Sequence, residues 1–192
     1  DDILPYLPEC THFCETHAGS AVILLNRWPS PVETINDIDG EVCHFFEILR
    51  ERTSELIENL RLTPYSRKEY NIALSYTDEP LERARRFFIR NRQTRGGLGQ
   101  RATPGRWSYC KLTRRSNMSG IVSSWLSGIQ NLEQTADRLL QVQIENDNAI
   151  EVIKRYDSKE TLFYCDPPYI LDSRSGGKAY MYEMSDNEHI DL

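Results

Sequence analysis

The chain has 192 residues, 39% hydrophobic and 27% charged, a balance that supports a packed core in one or two domains and excludes disordered, collagen-like and coiled-coil classes. No apolar run approaches the roughly 18 residues that a membrane helix requires, and Asp1 and Asp2 carry the wrong charge for a signal peptide, so no membrane partner is expected. The net charge of -6 is unevenly spread: residues 83–132 hold ten arginines, one lysine and no acid, a charge of +11, which leaves -17 on the other 142 residues. Such segregation points to a polyanion-binding segment on an acidic body. Five scattered cysteines without a Cys-x-x-Cys pair argue against a disulfide framework and for a reducing, cytoplasmic setting.

Taken in chain order, the run Thr11-His12-Phe13-Cys14-Glu15 reads as a strand. It leads through the small residues Ala18-Gly19-Ser20-Ala21 into an apolar helical stretch at 22–25. A second strand at 32–36 ends in Asp37-Ile38-Asp39-Gly40, and Val42, Phe45, Phe46 and Leu49 then fall at helical spacing. This β-α-β-α opening implies a parallel sheet. Helices alone follow. Ser66-x-x-Glu69 is a capping box before 70–74, and Pro80 occupies a first helical position before 81–92. The Gly- and Arg-rich stretch between Gln93 and Arg106 is too polar for core and reads as a loop that moulds to a partner. Helices are expected near 120–126 and 132–139, a strand at 140–144, a helix at 147–156 and a strand at 161–165. The reading is an α/β domain, 1–52 with 140–192, interrupted by a basic helical insertion, 53–139. Ser185-x-x-Glu188 opens a helix with few residues after it, and only four strands are visible, so the sheet is expected to be truncated at its C-terminus.

The stretch Leu162-Phe163-Tyr164-Cys165-Asp166-Pro167-Pro168-Tyr169 carries the most specific chemistry. An apolar strand delivers these residues at its carboxyl end, where open α/β sheets bind ligands. Two prolines remove consecutive N–H donors and leave rigid carbonyl acceptors. Asp166 adds a carboxylate acceptor and Tyr169 a flat face. The result suits the exocyclic amino group of a planar base. Asp37, 22 residues after Glu15 at the end of the second strand, is placed to bind ribose hydroxyls. Cys10, His12 and Cys14 share a strand face but fall short of the four ligands of structural zinc, so no metal is expected. Cys165 reads as a small buried hydrophobe, and His189 as an early helix residue and not a base.

Asp166-Pro167-Pro168-Tyr169 matches the Asp-Pro-Pro-Tyr motif of amino-group DNA methyltransferases. With residues 15–26, the run 34–39 and the basic insertion, the chain resembles the Dam-type adenine-N6 methyltransferases, phage- and prophage-like members especially. The resemblance implies a Rossmann-like methyltransferase sheet with a helical target-recognition insertion, S-adenosylmethionine as cofactor and DNA as partner. It assigns the cofactor to Glu15, Thr16, His17, Ala18, Gly19 and Ser20, where the family usually reads Glu-Pro-Phe-x-Gly-Ser, and to Asp37 and Ile38. Asp147 or Asn148 would meet the cofactor adenine, although Asn146 or Asp147 as a helix N-cap needs the same residue types. Asp166, Pro167, Pro168 and Tyr169 would be catalytic. Contacts to DNA would fall to Arg92, Arg95, Arg101, Arg106, Lys111, Arg114 and Arg115. Two other readings fit these residues: a relative that binds DNA without catalysis, and a methyltransferase acting on an amino group in RNA, cytosine or protein.

Overall fold

The computed structural model describes residues 3–170 and 181–192; Asp1 and Asp2 lie outside the described residues. The chain divides into two compact units, Asp1–Cys43 with Arg138–Leu192, and His44–Asp137. In chain order the elements are β1 (His12–Glu15), α1 (Val22–Asn26), β2 (Val32–Asn36), α2 (Gly40–Glu51), α3 (Thr53–Leu62), α4 (Arg67–Ala73) and α5 (Pro80–Gln93). These are followed by β3 (Arg114–Arg115), β4 (Met118–Ser119), α6 (Gly120–Gln130), α7 (Leu132–Leu139), β5 (Val142–Glu145), α8 (Ala149–Tyr156), β6 (Thr161–Tyr164) and α9 (Asp186–Asp191).

In the first unit the described strands form a parallel sheet of order β5-β2-β1-β6. The central strands β1 and β2 bury nearly every residue, as strands covered on both faces must. Phe13, Cys14, Leu24, Ile35, Val142 and Val152 form the core. Because β1 pairs with β2 on one side and with the much later β6 on the other, a topological switch point falls between β1 and β6. In open α/β sheets this is where the ligand crevice lies.

A charge cluster sits at the opposite end of β2. Glu33, 2% exposed, accepts from Arg27 Nη1 at 3.1 Å and from the Ser30 N–H at 3.1 Å. It also pairs with Arg138 at the end of α7. Arg27 lies over the Phe13 ring at 4.2 Å, so the cluster ties α1, β1, β2 and α7 together.

The second unit is helical. Leu56, Ile57 and Leu60 of α3, Tyr70 and Ala73 of α4, Ala84, Phe88 and Ile89 of α5, and Trp125 and Ile129 of α6 are buried, with Phe88 and Trp125 rings 5.4 Å apart. Ser66 caps α4 by accepting from the Glu69 N–H at 3.1 Å. The expected return arm is redirected, because the Glu69 carboxylate meets Arg85 at 2.9 Å. Glu79 and Pro80 open α5.

Three features depart from the sequence expectation. Helix α3 begins without a capping signal, since its N-cap Arg52 makes no side-chain cap bond. The Gly/Arg-rich stretch is no free loop. Arg95 N–H donates to the Arg106 carbonyl (2.8 Å) and Ser108 N–H to that of Gln93 (2.7 Å). The buried Tyr70 hydroxyl bonds Thr94 Oγ1 (3.0 Å) and the Thr103 carbonyl (3.1 Å). Its polar backbone is satisfied internally even at the tip, where Gly96 and Gly97 are both left-handed and Gly97 N–H donates to the Thr94 carbonyl at 3.0 Å. Finally, β3 and β4 make an antiparallel hairpin around Ser116 and Asn117, both at positive φ, the geometry of a type I′ turn.

The basic run also meets acids from just outside its boundaries. Arg85 is held by Glu82 and Glu69, and Arg86 by Glu82, because helical i,i+3 and i,i+4 spacing and the packing of α4 on α5 bring them together.

Removing the Glu33 carboxylate strands two partly buried guanidinium groups. Glu33→Ala is expected to lower unfolding free energy by about 3–5 kcal/mol, measured by urea titration. Arg52→Ala, which removes an exposed pair with Glu55, should leave the urea midpoint nearly unchanged.

Candidate functional site

The carboxyl ends of β1, β2, β5 and β6 form one edge, and four sequence-assigned segments leave from it. After β1 the chain turns through residues 16–21, with Gly19 and Ala21 both in the left-handed region at φ 51°. A Cβ on Gly19 would meet nothing within 4 Å, so open space lies over the turn. Gly19 and Ser20 are exposed while Thr16 and Ala18 are buried. Asp37 holds the turn: its Oδ2 accepts from Gly19 N–H at 2.8 Å and its Oδ1 from Asp39 N–H at 2.8 Å. Burial raises its pKa, and the two N–H donors work against the rise. Ile38 beside it is 46% exposed.

Glu15, 2% exposed, turns inward. Its Oε2 accepts from Leu24 N–H at 2.9 Å, so it caps α1, a task that Ala21 at the N-cap position cannot perform. Burial pushes the carboxyl up to about 7, against the backbone donors of Leu24 and Ile23, with the charge of Asp166 adding to the rise.

The residue that joins this edge together is Asn36, which sequence reasoning did not single out as functional. Its buried amide donates to the Thr16 carbonyl (2.9 Å) and the Asp147 carbonyl (3.0 Å), and its oxygen accepts from Asp147 N–H (2.9 Å). Asn146 adds a bond to the Asp37 carbonyl at 2.7 Å. The N-cap of α8 is neither Asn146 nor Asp147 but Asn148, whose oxygen accepts from Ile150 N–H at 2.9 Å. Asn146 and Asp147 are drawn off because their side chains engage Asp37 and Arg155. Arg155 holds the Asp147 carboxyl below the usual carboxylate range.

Past β6, Cys165 and Asp166 are exposed, Pro167 and Pro168 half-buried, and Tyr169 exposed at 62%. Cys165 is thus not the buried hydrophobe expected. The strand ends at Tyr164, and the thiol lies beyond the sheet, accepting from the Thr16 hydroxyl at 3.3 Å. Thr16 N–H donates to the Tyr164 carbonyl at 3.1 Å, so the turn after β1 and the loop carrying Asp166 run side by side. Among the described residues no group of three His, Cys, Asp or Glu side chains is placed to hold a metal ion.

The residues assigned to DNA all lie in the other unit. Arg92 is exposed with its guanidinium 5.5 Å from the Phe88 ring. Arg95 is exposed at the loop, Arg101 is half-buried, and Arg106 is half-buried with Nη2 reaching the Arg95 carbonyl at 3.4 Å. Lys111, Arg114 and Arg115 are exposed on and before the β3–β4 hairpin. Neighbouring strand residues point to opposite faces, and the side chains of Arg114 and Arg115 are nonetheless both exposed.

The raised pKa of Glu15 has a stability consequence. A carboxyl whose folded pKa exceeds its ordinary 4.5 contributes stability fully below pH 4.5 and loses it as pH rises through about 7. Between pH 4.5 and pH 8 the parent should lose roughly 3 kcal/mol relative to Glu15→Gln, measured as paired urea denaturation curves.

Compared with known families, residues 1–192 match the D12 class N6 adenine-specific DNA methyltransferases. No curated protein matches the chain at a significant level. The family methylates the N6 amino group of adenine in DNA, using S-adenosylmethionine. With the match running over residues 1–192, the chain belongs to the D12 class N6 adenine-specific DNA methyltransferase family.

Proposed function

We propose that Asp166, Pro167, Pro168 and Tyr169 receive the target adenine, that the turn of residues 15–20 with Asp37, Ile38 and Asn148 holds S-adenosylmethionine, and that residues 53–139 select the DNA target. The observation that carries this reading is the parallel pairing of β1 with β6, in register from His12 with Thr161 to Glu15 with Tyr164. That pairing brings the small-residue turn and the Asp-Pro-Pro-Tyr loop to adjacent strand ends at the switch point.

The residues present fit the cofactor. Each Asp37 carboxylate oxygen accepts one backbone N–H and keeps lone-pair capacity for a ribose hydroxyl. Ile38 offers exposed apolar surface to a purine, and the space over Gly19 admits a ligand against the backbone. With its oxygen spent on α8, Asn148 supplies its amide nitrogen as a donor, whereas the Asp147 carboxylate is committed to Arg155. Glu15 acts indirectly, by fixing the turn through α1. When bound, S-adenosylmethionine supplies an electrophilic methyl group on a sulfonium sulfur.

The target base must leave the duplex to be reached. Tyr169 stacks on it. Asp166 and the Pro167 carbonyl accept hydrogen bonds from the amino group and turn its nitrogen lone pair out of conjugation, toward the methyl. No covalent enzyme intermediate is needed, so catalysis is positioning and electrostatics.

Asp166→Ala should reduce methyl transfer at least a thousandfold with melting temperature and cofactor affinity little changed. Nucleoside mass spectrometry of digested DNA for N6-methyladenine measures it. Activity within a few-fold of the parent would remove Asp166 from the mechanism.

The hairpin generates a second test. Replacing Lys111, Arg114 and Arg115 together by alanine should weaken duplex binding and flatten the log-log salt dependence by up to about 2.7, at roughly 0.9 for each phosphate left unneutralised. An unchanged slope in fluorescence anisotropy titrations would mean that these side chains do not touch the backbone.

A further inference from the structure

The turn after β1 carries a histidine next to the catalytic loop. The β1–β6 pairing ends with Glu15 opposite Tyr164, and Thr16 N–H extends it by donating to the Tyr164 carbonyl at 3.1 Å. Beyond that bond Thr16 touches Cys165, and the charge of Asp166, the next residue, is felt at the His17 imidazole. The Thr16 hydroxyl lies 2.9 Å from His17 Nδ1, 3.3 Å from Cys165 Sγ and 3.4 Å from the Tyr164 carbonyl. A hydroxyl has one proton to give. Two of its three neighbours lie on the β6 side; when the proton goes there, Nδ1 carries the imidazole hydrogen and donates it to Thr16, leaving Nε2 a bare acceptor, the tautomer that the proposal requires.

We propose that Thr16 and His17 are positioning residues for Asp166: Thr16 ties the cofactor turn to the catalytic strand and fixes the imidazole tautomer, and His17 receives, by way of Asp166, the proton that the methylated amino group sheds. The inference rests on the assignment of Asp166 to the adenine amino group. The step balances. The N6 lone pair forms the C–N bond as the methyl leaves sulfur, which keeps the bonding pair. N6 then carries one proton too many. The proton passes to the Asp166 carboxylate, and across a water to His17 Nε2, and the imidazolium discharges to solvent before the next turnover.

The electrostatics agree. His17 is half-buried, and burial lowers its pKa from the ordinary 6.5; the charge of Asp166 raises it, and His189 of α9 lowers it. Glu15, from the same segment, faces Asp166 as well. The imidazole is therefore neutral at pH 7 and free to accept.

The test uses the whole chain. His17→Asn keeps a side-chain amide within reach of Thr16 but cannot take the proton. Measured at saturating cofactor, it should lower the single-turnover rate about tenfold, less than the loss of a primary general base, because Asp166 can still discharge to water. The acid limb expected of the parent, where the His17 imidazole protonates below its ordinary 6.5, should disappear. In protein without DNA, the His17 imidazole titration followed by NMR should move to lower pH in Asp166→Asn, because the carboxylate that favours the imidazolium is gone. A His17 midpoint unmoved by Asp166→Asn would overturn the inference, and so would His17→Asn with the parent's single-turnover rate and acid limb. If Asp166→Ala itself stays active, the site assignment fails first, an outcome distinct from an inactive Asp166→Ala beside an unaffected His17→Asn.

Discussion

The carboxyl end of the sheet hangs on the buried carboxamide of Asn36. Three loops leave three parallel strand ends there, and each brings backbone groups that cannot pair within the sheet. One amide can satisfy donors and acceptors on several loops at once, and Asn36 does so between the turn after β1 and the start of α8. A carboxylate at this position could not donate to the Thr16 and Asp147 carbonyls. An apolar residue would leave buried polar backbone unpaired, at roughly 1–3 kcal/mol for each group. With the clasp closed, Asp37 on the next residue is aimed at Gly19, and the turn that would cradle the cofactor has its shape before any ligand arrives.

A second arrangement builds on that frame. The small-residue turn is formed not by its own capping residue but by Glu15, which reaches from the strand end to the first N–H groups of α1. This explains how Ala21 can sit in the left-handed region at a helix start without a side-chain cap. The cost is a carboxyl buried close to Asp166, whose charges oppose each other. The two acids are thereby divided: one is held high by burial and serves the scaffold, and the other lies exposed at the end of the strand.

Much of this was legible in the sequence, and what escaped had physical causes. The strands at 32–36 and 161–164 announced themselves by β-branched and aromatic runs, and Pro80 and Ser66 by capping chemistry. The Asp-Pro-Pro-Tyr loop was legible because its residue types have few other uses at a strand end. Asn36 was not, because a clasp is defined by partners 20 and 111 residues away. The same holds for Glu69, whose carboxylate leaves its local capping box for Arg85, a tertiary partner. Helix α3 had apolar spacing without a cap, and Ser116-Asn117 is a weaker turn signal than Asn-Gly. The Gly/Arg stretch misled because its composition suggests freedom, while Tyr70, buried in α4, is what restrains it.

The distribution of positive charge follows the same logic. A sequence count credits residues 83–132 with eleven cations, yet a cation braced by a neighbouring carboxylate has little left for a phosphate. Arg85 and Arg86 are held by Glu82 and Glu69, and the Arg90 guanidinium donates to the Ala73 carbonyl at 2.8 Å, so this part of α5 spends its charge on the helical unit. Beyond the helix, Arg95, Lys111, Arg114 and Arg115 are exposed, and the nearest acids in sequence, Glu82 and Glu133, lie outside the segment. The basic run therefore works in two parts: its helical half stabilises the unit, and its loop and hairpin half carries the field that a polyanion would meet.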